Sequence, residues 1–132
     1  VVAVLVSNTS GMQQVAAQAR GDYYPHWSNY YRAGLWLRDN TPEAAIVACR
    51  KGYWMYVVSA RPCVLYAFDG PETVLAELER NRVSFVIVEQ LGYRHTRDYL
   101  VPAIQQYKER FEVVWHAANP DTWVLKFLPA TD

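Results

Sequence analysis

The sequence has no surplus of charge of either sign. Thirteen basic side chains meet thirteen acidic ones, for a formal net charge of zero. That balance excludes the strongly basic face that grips nucleic acid, and it argues against broad electrostatic docking on anionic lipid. No secretory leader is legible, and no apolar run approaches the roughly 20 residues of a membrane span. Glycine is sparse where nucleotide chemistry would need it. The turn after the first expected strand reads Cys49-Arg50-Lys51-Gly52-Tyr53. Its single glycine makes neither a GxGxxG nor a GxxxxGK[ST] pattern, which excludes the usual dinucleotide and triphosphate cradles. That strand also lacks the terminal acid of a receiver-type phosphorylation site.

Cysteine is scarcer still. Cys49 and Cys63 match no zinc or CxxC spacing. With Cys49 ending one strand and Cys63 starting the next parallel one, they are expected on opposite edges of the sheet. That lies beyond the roughly 7 Å Cα limit of a disulfide, and predicts two free, largely buried thiols. The three histidines, His26, His95 and His116, form no metal-ligand spacing, so no metal site is expected. No cofactor is implied. Ser59 has no Gly-x-Ser-x-Gly elbow around it. Glu77 and Glu79 are read as a solvated helix face, and no catalytic residue is assigned.

What is present is an alternation of helix and strand patterns. The length of 132 residues suits one domain with its own core, able to bury roughly two thirds of its unfolded surface. Residues 11–20 are good helix formers, followed by an aromatic loop at 23–27. A helix is predicted over 28–39, with Tyr30, Ala33, Gly34 and Leu37 on one stripe. Pro42 ends it. Apolar runs at 44–49, 64–68 and 84–88 read as strands buried on both faces. Helices are predicted at 52–60, at 71–82 behind Pro71 and Glu72, and after Thr96, where Pro102 sits in the first turn or kinks it. Period-two alternation at 111–116 and 122–128 around Asn119-Pro120-Asp121 reads as a closing hairpin. The fold expected is α/β: a three-layer, Rossmann-like, mainly parallel sheet with a C-terminal antiparallel hairpin and an N-terminal helical segment. Residues 1–20 form a linker unit and 21–132 the domain.

In open α/β sheets, ligands bind beyond the carboxyl ends of the parallel strands. Those ends carry Arg50, Lys51 and Tyr53, then Asp69 and Gly70, then Glu89, Gln90 and Tyr93. This mixture suits a polar, anionic or sugar-like ligand, or an ordinary polar loop edge. A freestanding small-ligand module is therefore one reading of the chain.

A second reading comes from resemblance. Trp27-Ser28-Asn29-Tyr30-Tyr31-Arg32-Ala33 leads into Trp36-Leu37-Arg38-Asp39-Asn40-Thr41-Pro42. Then follow Arg50-Lys51-Gly52-Tyr53, Val58-Ser59-Ala60-Arg61, Tyr99-Leu100-Val101-Pro102-Ala103-Ile104, Arg110-Phe111-Glu112-Val113-Val114 and Asn119-Pro120-Asp121-Thr122-Trp123. Together, over residues 20–128, these resemble the region after the last membrane helix in bacterial members of the dolichyl-phosphate-mannose protein mannosyltransferase family. The lipid A aminoarabinose transferase has a similar plan. The resemblance implies a non-catalytic extracytoplasmic domain of a cell-membrane glycosyltransferase that moves a sugar from a polyprenyl-phosphate donor to an acceptor. Its partners would be the membrane domain of the same polypeptide and the polyprenyl-phosphate sugar or acceptor, with no nucleic acid. The family's catalytic acids lie in a loop that nothing here matches, so none is carried over and the domain alone is expected to be inert. Residues 1–6 would be the last turns of a membrane helix. Tyr23, Tyr24, Trp27, Tyr30 and Tyr31 would lie near the bilayer surface, or else pack helices onto the sheet.

Overall fold

A computed structural model describes residues 24–131. The expected stub at 1–6, the helix at 11–20 and Tyr23 lie outside the described residues.

Helix α1 (Pro25–Asn40) starts three residues earlier than the apolar stripe suggests. Pro25 fixes φ at the first helical position, where no N–H is needed, so the expected aromatic loop is largely the first helical turn. Asn29, Tyr30, Ala33, Gly34 and Leu37 form its buried stripe. Strand β1 (Ile46–Ala48) leads to helix α2 (Gly52–Ser59), then strand β2 (Cys63–Val64), helix α3 (Pro71–Arg80) and strand β3 (Val83–Val88). A π-helical turn (Thr96–Leu100) runs into helix α4 (Val101–Gln106). Pro102 accounts for the wide turn: its ring would meet the carbonyl four residues back, and loosening that turn relieves the clash. A 3₁₀ turn (Lys108–Arg110) precedes the hairpin of β4 (Phe111–Ala117) and β5 (Thr122–Phe127).

The chain is α/β, with one mixed five-stranded sheet in the order β2-β1-β3-β5-β4. A mainly parallel sheet was expected, and here the structure differs. β1 pairs in parallel with β2 and β3, while β3–β5 and β4–β5 are antiparallel. The parallel ladders are short because β1 has three residues and β2 two. The apolar runs around them continue into loops, and the longer hairpin strands contribute most of the pairing.

Side chains alternate across the sheet, as strand geometry requires. Val47, Cys49, Phe85, Ile87 and Val124 pack with Tyr30, Ala33, Leu37 and Met55 of α1 and α2 on one face. Ala48, Val86, Val88, Leu125 and Phe127 pack with Val74, Leu78, Leu100 and Ala103 on the other. The helices that follow β1 and β3 thus leave toward opposite faces.

Two polar devices close the α1–α2 side. Arg61 is only 5% exposed and has its hydrogens taken by the ends of both helices. Its Nη2 donates to the carbonyls of Arg38 at 2.8 Å and Thr41 at 2.7 Å. Nε donates to Thr41 Oγ1 at 3.0 Å, and Nη1 to the carbonyls of Ser59 and Ala60 at 3.4 and 3.2 Å. A buried cation is tolerable here because it completes the carbonyl-rich, negative ends of two helices. Asn29, also buried, donates from Nδ2 to the carbonyls of Ala118 at 3.0 Å and Pro120 at 2.8 Å, tying α1 to the hairpin turn. At Gly34 a Cβ would lie 2.6 Å from Val58 Cγ1, so only glycine lets α1 and α2 approach this closely.

Candidate functional site

β1 is the point where the chain reverses its direction across the sheet, with β2 added on one side and β3 on the other. The crevice outside the carboxyl ends of β1 and β3 is where such sheets hold ligands. Lys51 adopts φ 54 there, a left-handed turn that bends the chain out of β1 and into α2.

Arg50 fills that crevice. Its guanidinium lies over the Tyr93 ring at 4.5 Å and the Phe68 ring at 5.2 Å. Lys51 Nζ lies 5.7 Å from the Tyr93 ring. Phe68 in turn stacks on His95 with centroids 4.0 Å apart, and Tyr99 closes the row. Each cation–ring contact contributes about 0.5–2 kcal/mol, depending on desolvation. Among the described residues, the buried Nε of Arg50 and Nδ1 of His95 meet no acceptor or donor. A guanidinium with an unused N–H among aromatic faces is a ready partner for an oxyanion.

Beneath this row lies a hydrogen-bonded chain. Glu89 directly follows β3 and is 3% exposed. One carboxyl oxygen accepts the Leu91 N–H at 2.6 Å; the other accepts the Thr96 hydroxyl. Thr96 has a single hydroxyl proton, so its 2.8 Å contact with Tyr66 must be donated by the tyrosine. Burial, the largest effect, pushes the Tyr66 hydroxyl up to about 12. Although Thr96 starts its helix, its side chain makes no cap. Its hydroxyl is used on Glu89 instead, which fixes the loop that carries Tyr93 and His95.

Beside Arg50 a concavity of about 730 Å³ opens over β2, walled by Arg50, Lys51, Tyr53, Tyr56 and both cysteines. Helix α2 starts at its rim without a side-chain cap. Its first N–H groups therefore have no acceptor within the helix. A second concavity, about 760 Å³, lies at the opposite end of the sheet between α3, the start of β3 and residues 128–130. The carboxyl edge is the better candidate, because the unpaired cation and the strand-end geometry coincide there.

The expected edge residues are therefore only partly united. Arg50, Lys51 and Tyr93 converge. Tyr53, 95% exposed, stands on the wall of the concavity. Glu89 turns inward and serves the loop. Asp69 is exposed and accepts the Gly70 N–H at 2.7 Å, and Gln90 is exposed. Phe68, His95, Tyr66 and Thr96 belong to the site without having been singled out. The one available signal was their position just past or near the ends of β2 and β3.

Among the aromatic residues assigned to a bilayer surface, Tyr30 is wholly buried and its hydroxyl donates to the Arg50 carbonyl. Trp27, Tyr30 and Tyr31 gather around Trp54 within 6.2 Å, centroid to centroid. Tyr24 alone of the described members is largely exposed. Trp36 is half-buried and meets Phe85 edge-on.

The cysteines are corrected more sharply. Both are free, yet they are not on opposite edges. Cys63 lies opposite Val47 on the neighbouring strand, and Cys49 donates its N–H to the Val64 carbonyl at 3.0 Å. The strands are too short for their opposite ends to be far apart. The two thiols influence each other: Cys49 lowers the Cys63 thiol, and Cys63 raises that of Cys49.

Among the described residues, no three His, Cys, Asp or Glu side chains come together as a metal site, and no helix is long and apolar enough to cross a membrane. No protein-family model matches the chain, and no curated protein matches it.

Proposed function

We propose that this chain is the non-catalytic, extracytoplasmic accessory domain of a membrane glycosyltransferase, and that its carboxyl edge meets the phosphate of a polyprenyl-linked sugar. One observation carries the reading: Arg50, whose Nε has no hydrogen-bond partner among the described residues, lies with Lys51 beside exposed tyrosines on α2. Tyr53, Tyr56 and Val57 present an apolar outer face next to two cations. A phosphate at the boundary of an apolar layer needs that combination: positive charge for the headgroup, and amphipathic rings that tolerate both phases. The uncapped start of α2 adds N–H donors at the same place. The β2-β1-β3 unit is taken as Rossmann-like in this reading, which the change of helix face between β1 and β3 supports.

The position of Arg50 at the strand-reversal crevice also favours a plainer reading, a freestanding module for a sugar or anion in solution. Vesicle flotation separates the two. The domain should float with vesicles containing a polyprenyl phosphate. It should float much less with neutral vesicles, and lose the difference on Arg50→Ala with Lys51→Ala or on Tyr53→Ser with Tyr56→Ser. Equal recovery from both vesicles would refute the membrane reading. Binding of a soluble sugar phosphate without any vesicle preference would support the module.

A further inference from the structure

The cysteine pair asks for a chemistry of its own. Val47 N–H donates to the Pro62 carbonyl at 2.9 Å and Cys49 N–H to the Val64 carbonyl at 3.0 Å. This register makes Cys49 and Cys63 diagonal neighbours on one face of adjacent parallel strands. They differ in access. Both line the 730 Å³ concavity, but Cys49 is 1% exposed within the α1–α2 core, whereas Cys63 is half-buried on the edge strand.

The geometry points to a reversible thiol–disulfide site. In it Cys63 is the attacking thiol, reached through the concavity by a small disulfide, and Cys49 is the buried resolving thiol.

The electrostatics agree with that division of roles. The hydrogen bond from Cys49 holds the Cys63 thiol below its ordinary value, against the effect of burial, and Ser59 helps. The same bond, followed by burial, pushes Cys49 well up. Of the two sulfurs, the more accessible one is therefore the easier to ionise, and the thiolate is the nucleophilic form. While protonated, Cys63 donates to the Arg61 carbonyl at 3.2 Å.

The step balances as ordinary exchange. The Cys63 thiolate attacks one sulfur of an external disulfide, forms a mixed disulfide and releases one thiolate. Cys49 then attacks the Cys63 sulfur, its proton passing to the departing sulfur, and releases the second thiol. Two protein thiols are oxidised, and one small disulfide is reduced to two thiols. A two-residue offset between parallel strands puts the Cα atoms about 8 Å apart, so closing the bond requires an approach of about 1–2 Å. β2 is a two-residue edge strand, bonded on one side only, and is the element most able to move. Closure would pull on the Arg61 and Arg50 segments that flank the two cysteines.

The test treats the full chain with oxidised glutathione, quenches with acid and maps the peptides by mass. The wild-type chain should pass through a glutathione adduct on Cys63 to a Cys49–Cys63 cross-link carrying no glutathione. Cys49→Ser should stop at the adduct on Cys63. Cys63→Ser should lose its remaining thiol at least about tenfold more slowly, because a buried Cys49 is inert. Should Cys49→Ser fail to fold, the order of species in the wild-type time course still decides. A wild-type chain that keeps the adduct without closing would overturn the proposal, as would Cys63→Ser reacting at the wild-type rate.

Discussion

Two arginines, eleven positions apart, show how differently one side chain can be used. Arg61 lies at the junction of α1 and α2 with its hydrogens committed to the carbonyls of Arg38, Thr41, Ser59 and Ala60 and to the Thr41 hydroxyl. Arg50 lies at the carboxyl edge of β1 with its charge over two rings and its Nε without an acceptor. The first is a structural clamp that leaves little of its hydrogen-bonding capacity for a ligand. The second is a cation held in place by contacts that leave hydrogen-bonding capacity unused. Among the described residues neither pairs with a carboxylate, so the difference comes from the geometry of their neighbours.

The comparison breaks most visibly at Arg61. Arg61→Ala should cost about 3–5 kcal/mol in urea unfolding, because the buried or partly buried carbonyls of Arg38, Thr41, Ser59 and Ala60 lose the donor that Arg61 supplies. A cost below about 1 kcal/mol would mean that the clamp is ornamental. Gly34→Ala tests the same seam from the packing side. The added methyl meets Val58 and Met55 of α2, and should cost about 1–3 kcal/mol by overpacking.

At the carboxyl edge the expected effects on stability are smaller, and one depends on pH. Tyr66 is neutral when protonated, and its hydroxyl is pushed up to about 12, chiefly by burial. Its contribution is thus complete below about pH 10, where an unfolded tyrosine starts to ionise, and is lost as pH rises toward 12. Between those values the wild-type chain should lose about 1–2 kcal/mol more than Tyr66→Phe, allowing for partial solvent screening. Parallel stability curves for the two chains would contradict the assignment. Smallest of all, Arg50→Ala should lower stability by about 1 kcal/mol, because the loss of two cation–ring contacts is offset by removal of a buried N–H that has no partner. Its effect should appear in anion binding instead, as a loss of about tenfold in affinity or more.

Much of the scaffold was legible in the sequence. Residues 84–88 read as a buried strand, and β3 spans Val83–Val88. Pro71 and Glu72 announced α3, and Asn119-Pro120-Asp121 announced the hairpin turn between β4 and β5. These signals are local: period, cap and turn chemistry. What stayed hidden depends on distant segments meeting. The apolar runs at 44–49 and 64–68 gave no sign that only three and two of their residues would pair. Cys49 and Cys63 looked remote because strand length was overestimated. Arg61 reads as an ordinary loop cation until four carbonyls from two helices close on it.

The candidate site divides in the same way. Arg50 and Lys51 were marked by position at a strand end, a rule of topology. Phe68 and His95 were not, because a stack between the loops after β2 and β3 has no sequence period. Glu89 was marked by its place at a strand end, but sequence cannot show that its carboxyl turns inward onto Leu91 and Thr96.

The account depends most on Arg50 being a held but unspent cation, and its side-chain Nε–H resonance reports on that directly. Titrating a sugar phosphate into the isotope-labelled chain should shift this resonance first and furthest, together with the amides of Lys51, Gly52 and Tyr93. The Arg61 resonance should stay still. An unmoved Arg50 signal, or an Arg61 signal that moves as far, would contradict the account.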